Sequence, residues 1–315
     1  MKYRLVTLIA FLISVTGIAL TTHNLTLSPN HPVVHAKLPQ KSLSYLGVYE
    51  PGAPPGYRYV SAFASMAGRQ PNLVGYYSGW AQPFNRSFAE LVHRHGATPY
   101  IQIDPTLGYV SAIAAGTYDD SYLRPYADSV RDFGHPVVIG FGHEMNAPWS
   151  SWGYKHTHPS TFVAAWKHIV TLFNEEGAKN VTWLWTINQD QPGTKPIAQW
   201  WPGPEFVSWV GIDGYYFKSS DTFKSVFGST IANVRRITNK PILLSETAIS
   251  PKATPQSAKI GDLFTGMQKD GTLGLVWFDK DQKNDGYRHQ DWRIADSFQA
   301  QAAFREWVGQ TLTHY

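Results

Sequence analysis

Eight short apolar runs recur along this chain, and they constrain its fold more than any other feature. They occupy residues 46–49, 73–80, 98–104, 137–145, 180–188, 209–216, 241–248 and 273–279. Apolar residues stand side by side in them, the mark of strands buried on both faces, as in parallel sheets. Helical stretches separate most of the runs. Residues 84–95 place Phe84, Phe88, Leu91 and Val92 at helical spacing and stop at Gly96, and residues 122–133 stop at Gly134. Residues 160–176 carry Phe162, Ala165, Trp166, Ile169, Val170 and Phe173 on one stripe and stop at Gly177. A glycine just past the last turn is the expected helix stop. Residues 225–238, 255–269 and 297–310 are the later helical candidates, while the Pro-rich connection 189–204 shows little periodicity. Strands alternating with helices predict a (β/α)8 TIM barrel, α/β in class and one domain over 43–315. A doubly wound sheet is the alternative, but the Gly-rich phosphate turn it often carries is missing after the first run. Residues 49–56, Tyr-Glu-Pro-Gly-Ala-Pro-Pro-Gly, read instead as a rigid loop.

The N-terminus has its own pattern. Residues 1–4 are basic, and 5–20 form sixteen residues without charge. That run suits the apolar region of a signal peptide and falls short of the roughly 20 residues of a comfortable membrane helix. Residues 21–40 are polar and contain Pro, and Val34-His35-Ala36 offers a small residue for a peptidase. Residues 1–36 are thus expected to be a signal peptide or an N-terminal membrane anchor with a polar spacer. The barrel is then extracellular or at the cell surface, touching a membrane only through that anchor. The chain contains no Cys, which excludes disulfides, thiolate metal sites, cysteine nucleophiles and a lipidated cysteine. The formal charge of +4 includes Lys2 and Arg4 of the leader, and no basic cluster invites nucleic acid. The 12 Trp, 17 Tyr and 16 Phe supply flat faces on which sugar rings stack, although aromatics also simply fill cores.

In a (β/α)8 barrel the active site lies at the C-terminal ends of the strands. The fourth run ends Gly-His-Glu-Met-Asn at 142–146, the sixth Ile-Asp-Gly-Tyr-Tyr at 212–216, the seventh Leu-Ser-Glu-Thr at 244–247 and the eighth Val-Trp-Phe-Asp at 276–279. Glu144 and Glu246 stand on strands three apart around the ring and so face each other across its mouth. Glycoside hydrolysis needs such a pair: one carboxylic acid protonates the leaving oxygen, and the other carboxylate attacks the anomeric carbon or activates water. A single strand-end Glu reads as a solvated residue or an ion-pair partner. Two of them, each within an apolar strand and beside polar aromatics, point to catalysis.

Other chemistries fail on particular residues. His143-Glu144 lacks the second His of a zinc protease because Ala147 stands in its place. The pairs His93/His95 and His156/His158 have no third ligand. The acidic loop 279–286 departs from a calcium loop at Lys283 and Gln290. Neither a Gly-x-Ser-x-Gly elbow nor a phosphate loop is present. No metal and no cofactor are expected.

Four blocks resemble glycoside hydrolase family 26: Gly-His-Glu-Met-Asn-Ala-Pro-Trp at 142–149, Trp-Pro-Gly-Pro-Glu-Phe-Val-Ser-Trp-Val-Gly-Ile-Asp-Gly-Tyr at 201–215, Ser-Glu-Thr at 245–247 and Val-Trp-Phe at 276–278. The likeness runs in order over nearly all of 43–309. It implies a (β/α)8 barrel and a retaining endo-β-glycanase of the β-mannanase, mixed-linkage β-glucanase or β-xylanase kind. It further implies Glu144 as acid/base and Glu246 as nucleophile, with His143 beside the acid/base and binding sugar. Tyr215 is implied as a hydrogen-bond donor to the nucleophile, with Asp213 in the same cluster. Trp149 and Trp277 are implied as sugar platforms, Trp277 nearest the cleavage point. The chain departs from the family's pattern at Ala147, Pro204 and Ser208, and at Phe278, where many mannanases carry Arg. The Val-Trp-Phe-Asp run and the later Asp-Trp-Arg-Ile at 291–294 lean toward the β-glucanase side. A polysaccharide substrate and a monomeric enzyme are expected. Two other readings are a catalytically inactive carbohydrate-binding barrel and a surface hydrolase trimming the producer's own exopolysaccharide.

Overall fold

The computed structural model describes residues 38–106, 108–283, 289–294 and 297–312. The expected leader, 1–36, lies outside the described residues. Among the described residues no helix is long and apolar enough to cross a membrane. The elements follow in the order β1 (Tyr45–Tyr49), α1 (Arg58–Ala67), β2 (Leu73–Gly79), α2 (Arg86–Arg94), β3 (Thr98–Asp104), α3 (Val110–Ala114), α4 (Arg124–Phe133), β4 (Val137–Phe141), α5 (Pro159–Glu175), β5 (Val181–Asn188), β6 (Trp209–Tyr216), α6 (Ser229–Ile237), β7 (Ile242–Ile249), α7 (Gln256–Asp270), β8 (Gly274–Phe278), β9 (Asp281–Gln282), β10 (Gln290–Asp291) and α8 (Phe298–Thr311). Strands β1 to β8 pair in parallel and in sequence, and β8 closes on β1, so the sheet is a complete (β/α)8 barrel. All eight apolar runs are its strands.

Local chemistry explains the helix ends. Asn85 caps α2 by accepting from the Phe88 N–H at 3.1 Å, and Ser297 caps α8 through the Ala300 N–H at 3.2 Å. Gly134 takes the left-handed conformation just past α4. Several elements differ from the sequence expectation, among them α3, β9 and β10, which were not expected. Helix α1 follows the rigid loop, where no helix was expected. A π-helical turn, Asp119–Leu123, leads into α4, so the expected helix at 122–133 begins inside that turn.

The barrel lumen is layered. Tyr45, Leu73, Tyr100, Val138, Leu184, Trp209, Leu243 and Val276, one from each strand, form an apolar floor. Full burial of a Leu or Val there contributes roughly 1.5–3 kcal/mol. Above the floor the lumen turns polar. Gln102 Nε2 donates to Tyr100 Oη at 2.6 Å and to Thr186 Oγ1 at 2.7 Å. Its amide fits only because Gly140 faces it: a Cβ there would stand 2.1 Å from Gln102 Oε1. Side chains on the alternate positions of each strand pack outward against the helices. The last inward positions therefore rise above the floor at the C-terminal ends of the strands.

Candidate active site

Glu144 is placed by a sharp departure from β4. The strand stops at Phe141, earlier than the apolar run implies, because Gly142 and Glu144 both have positive φ, 55° and 56°. A non-glycine residue in that region costs about 1–3 kcal/mol, and such strain persists where surrounding contacts fix it. Those contacts are present. The Glu144 N–H donates to Thr186 O at 3.0 Å. Its Oε2 accepts from Trp149 Nε1 at 2.7 Å, and its Oε1 accepts from Asn188 Nδ2 at 2.7 Å. Asn188 is held in turn: its N–H donates to Asn146 Oδ1 at 2.9 Å, its carbonyl accepts from Asn146 Nδ2 at 3.0 Å, and its Oδ1 accepts from Gln191 Nε2 at 2.9 Å.

Glu246 is placed by a bulge. Gly211 pairs with Leu243 and Asp213 with Glu246, so β7 carries one residue more than β6 between these pairs. Two consecutive residues of β7 consequently reach the lumen. Ser245 Oγ donates to Asp213 Oδ1 at 2.6 Å. Glu246 accepts from two phenols, Tyr77 Oη on Oε1 and Tyr215 Oη on Oε2. A carboxylate oxygen each of Glu144, Asp213 and Glu246 lies within 4.8 Å of the other two. Burial pushes the Glu246 carboxyl up to about 8, with Lys280 pulling the other way. Burial, then the charge of Glu144, raises Asp213 well above the carboxylate range, while His143 and the Ser245 hydroxyl oppose the rise.

His143 Nδ1 lies 2.9 Å from Asp104 Oδ1 at the end of β3, and its ring meets those of Tyr77 and Trp152. Burial disfavours its charged form, but Asp104, with Glu144 and Asp213 behind it, outweighs burial and raises it to about 9. His143 is accordingly an imidazolium at neutral pH, next to the three carboxyls.

Of the residues expected from sequence, His143, Glu144, Trp149, Asp213, Tyr215 and Glu246 come together here. Trp149 is 47% exposed, so its ring is open beside Glu144. Trp277 does not join them. It is 1% exposed, packs edge-on against Phe304 of α8, and donates from Nε1 to Trp292 O at 3.1 Å. The expected sugar platform is thus a core residue, because alternation along β8 turns Trp277 toward the helices and Phe278 toward the mouth. Phe278 stacks on Tyr49 at 4.8 Å and meets Tyr215 edge-on at 5.8 Å. Sequence reading also missed Tyr77, Asn188, Asp104 and Trp292, whose ring lies 4.6 Å from that of Tyr215. The signal for Tyr77 and Asn188 is parity: each follows a floor residue, Leu73 or Leu184, by four positions, and Asp104 follows Tyr100 in the same way.

Residues 120–253, which hold both glutamates, Asp213 and Tyr215, match the model of glycosyl hydrolase family 26. That stretch is similar to family 26. The barrel extends beyond it on both sides. Over 275 residues the chain is 26% identical to Endoglucanase H of Acetivibrio thermocellus, covering 82% of this chain and 30% of that protein. Over 183 residues it is 26% identical to Beta-1,3-xylanase TXYA of a Vibrio species, covering 56% of this chain and 36% of that one. The chain thus spans about a third of the length of these curated relatives. A beta-mannanase from a symbiotic protist of the termite Reticulitermes speratus, solved with a gluco-manno-oligosaccharide, shares this barrel fold. It superposes with a TM-score of 0.61 at 18% identity, covering 87% of this chain and 88% of that one.

Proposed function

We propose that this chain is a retaining endo-β-glycanase that cuts a β-linked polysaccharide. The carrying observation is the approach of Glu144 and Glu246, with carboxylate oxygens within 4.8 Å across the barrel mouth. Retaining enzymes hold their carboxyl groups about 5–5.5 Å apart and inverting ones about 6.5–9.5 Å, and the observed approach fits the short class. In the first step a Glu246 oxygen attacks the anomeric carbon while Glu144 gives a proton to the departing glycosidic oxygen. In the second, Glu144 takes a proton from water as the water oxygen displaces Glu246 from the same carbon. The grip of Tyr77 and Tyr215 on both Glu246 oxygens orients the nucleophile and favours its ionised form against burial. The open face of Trp149 offers a stacking surface for a sugar on the Glu144 side.

Mixed-linkage β-glucan is the favoured substrate and β-mannan the second. Phe278 stands where many mannanases carry Arg, and Endoglucanase H is the relative with the longest match reported above. We further propose that residues 1–36 export the enzyme to the cell surface or beyond, on the strength of the uncharged run behind a basic start.

Replacing Glu246 with Ala tests the catalytic assignment. Turnover should vanish while the melting temperature is kept, and azide should restore cleavage of an activated aryl glycoside as the α-glycosyl azide. Wild-type rates in Glu246→Ala would end the assignment.

A further inference from the structure

We propose that Asp213 stores the proton that Glu144 delivers to the departing sugar. The inference rests on the glycosidase reading and adds a third carboxyl to it. It starts from a mismatch. A general acid must hold a proton, yet each oxygen of Glu144 accepts from a group that can only donate to it, Trp149 on Oε2 and Asn188 on Oε1. The indole N–H of Trp149 has no acceptor capacity. The Asn188 amide is fixed with its NH2 toward Glu144, because its oxygen already accepts from Gln191. Each oxygen of Glu144 is thus already held by a fixed donor.

Asp213 has the opposite arrangement. It is fully buried, its Oδ1 accepts from Ser245, and its Oδ2 has no N–H or O–H donor. A buried carboxylate oxygen left without a donor is costly. The carboxyls of Asp213 and Glu144 face each other closely enough to hydrogen-bond, but two carboxylates share no hydrogen. A proton on Asp213 Oδ2 resolves both problems, since it satisfies that oxygen and gives Glu144 a further donor. The groups facing Asp213 agree with this placement. Glu144, Tyr100 and Tyr215 surround it together with the Ser245 hydroxyl, Glu246 lies within reach, and His143 is the cation among them, itself paired with Asp104. Burial and the Glu144 charge hold its proton in place.

The proton balance closes without a co-reactant. As substrate enters, the O–H bond of Asp213 breaks and one forms on Glu144. That proton then passes to the glycosidic oxygen as the anomeric C–O bond breaks and the bond to Glu246 forms. Asp213 is left as a carboxylate beside the His143 imidazolium. In the second half-reaction water gives its proton to Glu144 and its oxygen to the anomeric carbon, the bond to Glu246 breaks, and the proton returns from Glu144 to Asp213. Asp213 acts through Glu144 and needs no contact with sugar.

Asp213→Asn in the full chain provides the test. Asparagine can still accept from Ser245 and donate to Glu144, but it has no proton to pass on. Two probes are compared: the polysaccharide the wild type cleaves, lichenan or β-mannan, and the matching 2,4-dinitrophenyl β-disaccharide, whose leaving group needs no proton. The variant should lose at least a hundredfold in kcat on the polysaccharide and no more than about threefold on the dinitrophenyl glycoside. On the latter its alkaline limb should be flat. Ser245→Ala provides a second arm that leaves the carboxyl in place. Removing a donor to the ionised form should move the alkaline limb of polysaccharide cleavage upward. Equal losses of Asp213→Asn on both probes, an unchanged rate on polysaccharide, or an unmoved limb in Ser245→Ala would overturn the proposal and leave the two-glutamate reading intact. A wild type that cleaves neither probe would remove both.

Discussion

Two groups of buried acids sit at the barrel mouth, and only one is built for chemistry. Glu144, Asp213 and Glu246 occupy the centre. Glu50 and Asp279 occupy the seam where β8 closes on β1, just beyond the paired residues Tyr49 and Phe278. Burial raises carboxyls in both places, Glu246 to about 8 and Glu50 to about 9, and the Asp279 carboxyl adds to the rise at Glu50 by hydrogen bond and by charge. The surroundings differ. At the seam the Asp279 N–H donates to Tyr49 O at 3.0 Å, Asp279 Oδ1 accepts from the Ile294 N–H at 3.1 Å, and Arg293 supplies the positive charge. These contacts tie the segment after β8 to the rim and leave both acids buried. At the centre the donors are side chains, and the half-exposed Trp149 opens the cluster to a ligand. A raised proton affinity is common to both groups, so it identifies neither as a site. Access and the kind of donor separate them.

The sharpest way to break this contrast is to make the same change in each group. Glu144→Gln should lower polysaccharide hydrolysis by about 10²–10⁴-fold, the usual worth of a general acid, and spare activated aryl glycosides. Glu50→Gln should leave kcat within about twofold, since its amide can still donate to Asp279. Similar losses of rate in both variants would erase the distinction.

The two tryptophans extend the comparison from acids to rings. Trp277→Ala opens a cavity beneath α8 and should cost about 3–5 kcal/mol of stability. Its activity loss should follow the melting curve. Trp149→Ala should leave the melting temperature nearly unchanged and weaken catalysis, by freeing Glu144 Oε2 and removing the stacking face. A stable Trp277→Ala with poor substrate binding would restore the platform role expected from sequence.

The smallest effect concerns pH. The native Glu50 carboxyl titrates near 9 against an ordinary value of 4.5, so the native state binds the extra proton between them. Its contribution to stability is complete below about pH 4.5 and is lost as pH rises through about 9. Glu50→Gln cannot ionise. Its melting temperature relative to wild type should therefore rise between pH 6 and pH 10, by about 2–4 °C for each kcal/mol involved. A constant difference across that range would show that the seam pair shares no proton.

The barrel was legible because parallel strands buried on both faces leave continuous apolar runs, and because the polar residues ending those runs lie at one mouth. That same continuity hid the facing of individual side chains. Nothing in Val-Trp-Phe at 276–278 says which ring looks inward, and the family resemblance pointed to the wrong one. Tyr77 sits between Tyr76, which packs on Phe88, and Ser78, so composition could not single it out. The floor residues settle its direction, and they are known only once the strands are in register. The bulge that brings Ser245 and Glu246 into the lumen together is likewise a property of pairing. Helix α1 was missed because it follows a loop whose prolines and glycines dominate the local pattern.

The central claim is that Glu144 and Glu246 act as a close pair in a double displacement. Proton NMR of a fresh digest of lichenan or β-mannan tests it most directly, with spectra taken before the reducing ends mutarotate. The β-anomer should appear first and the α-anomer should grow in only at the rate of mutarotation. Initial release of the α-anomer would contradict the account.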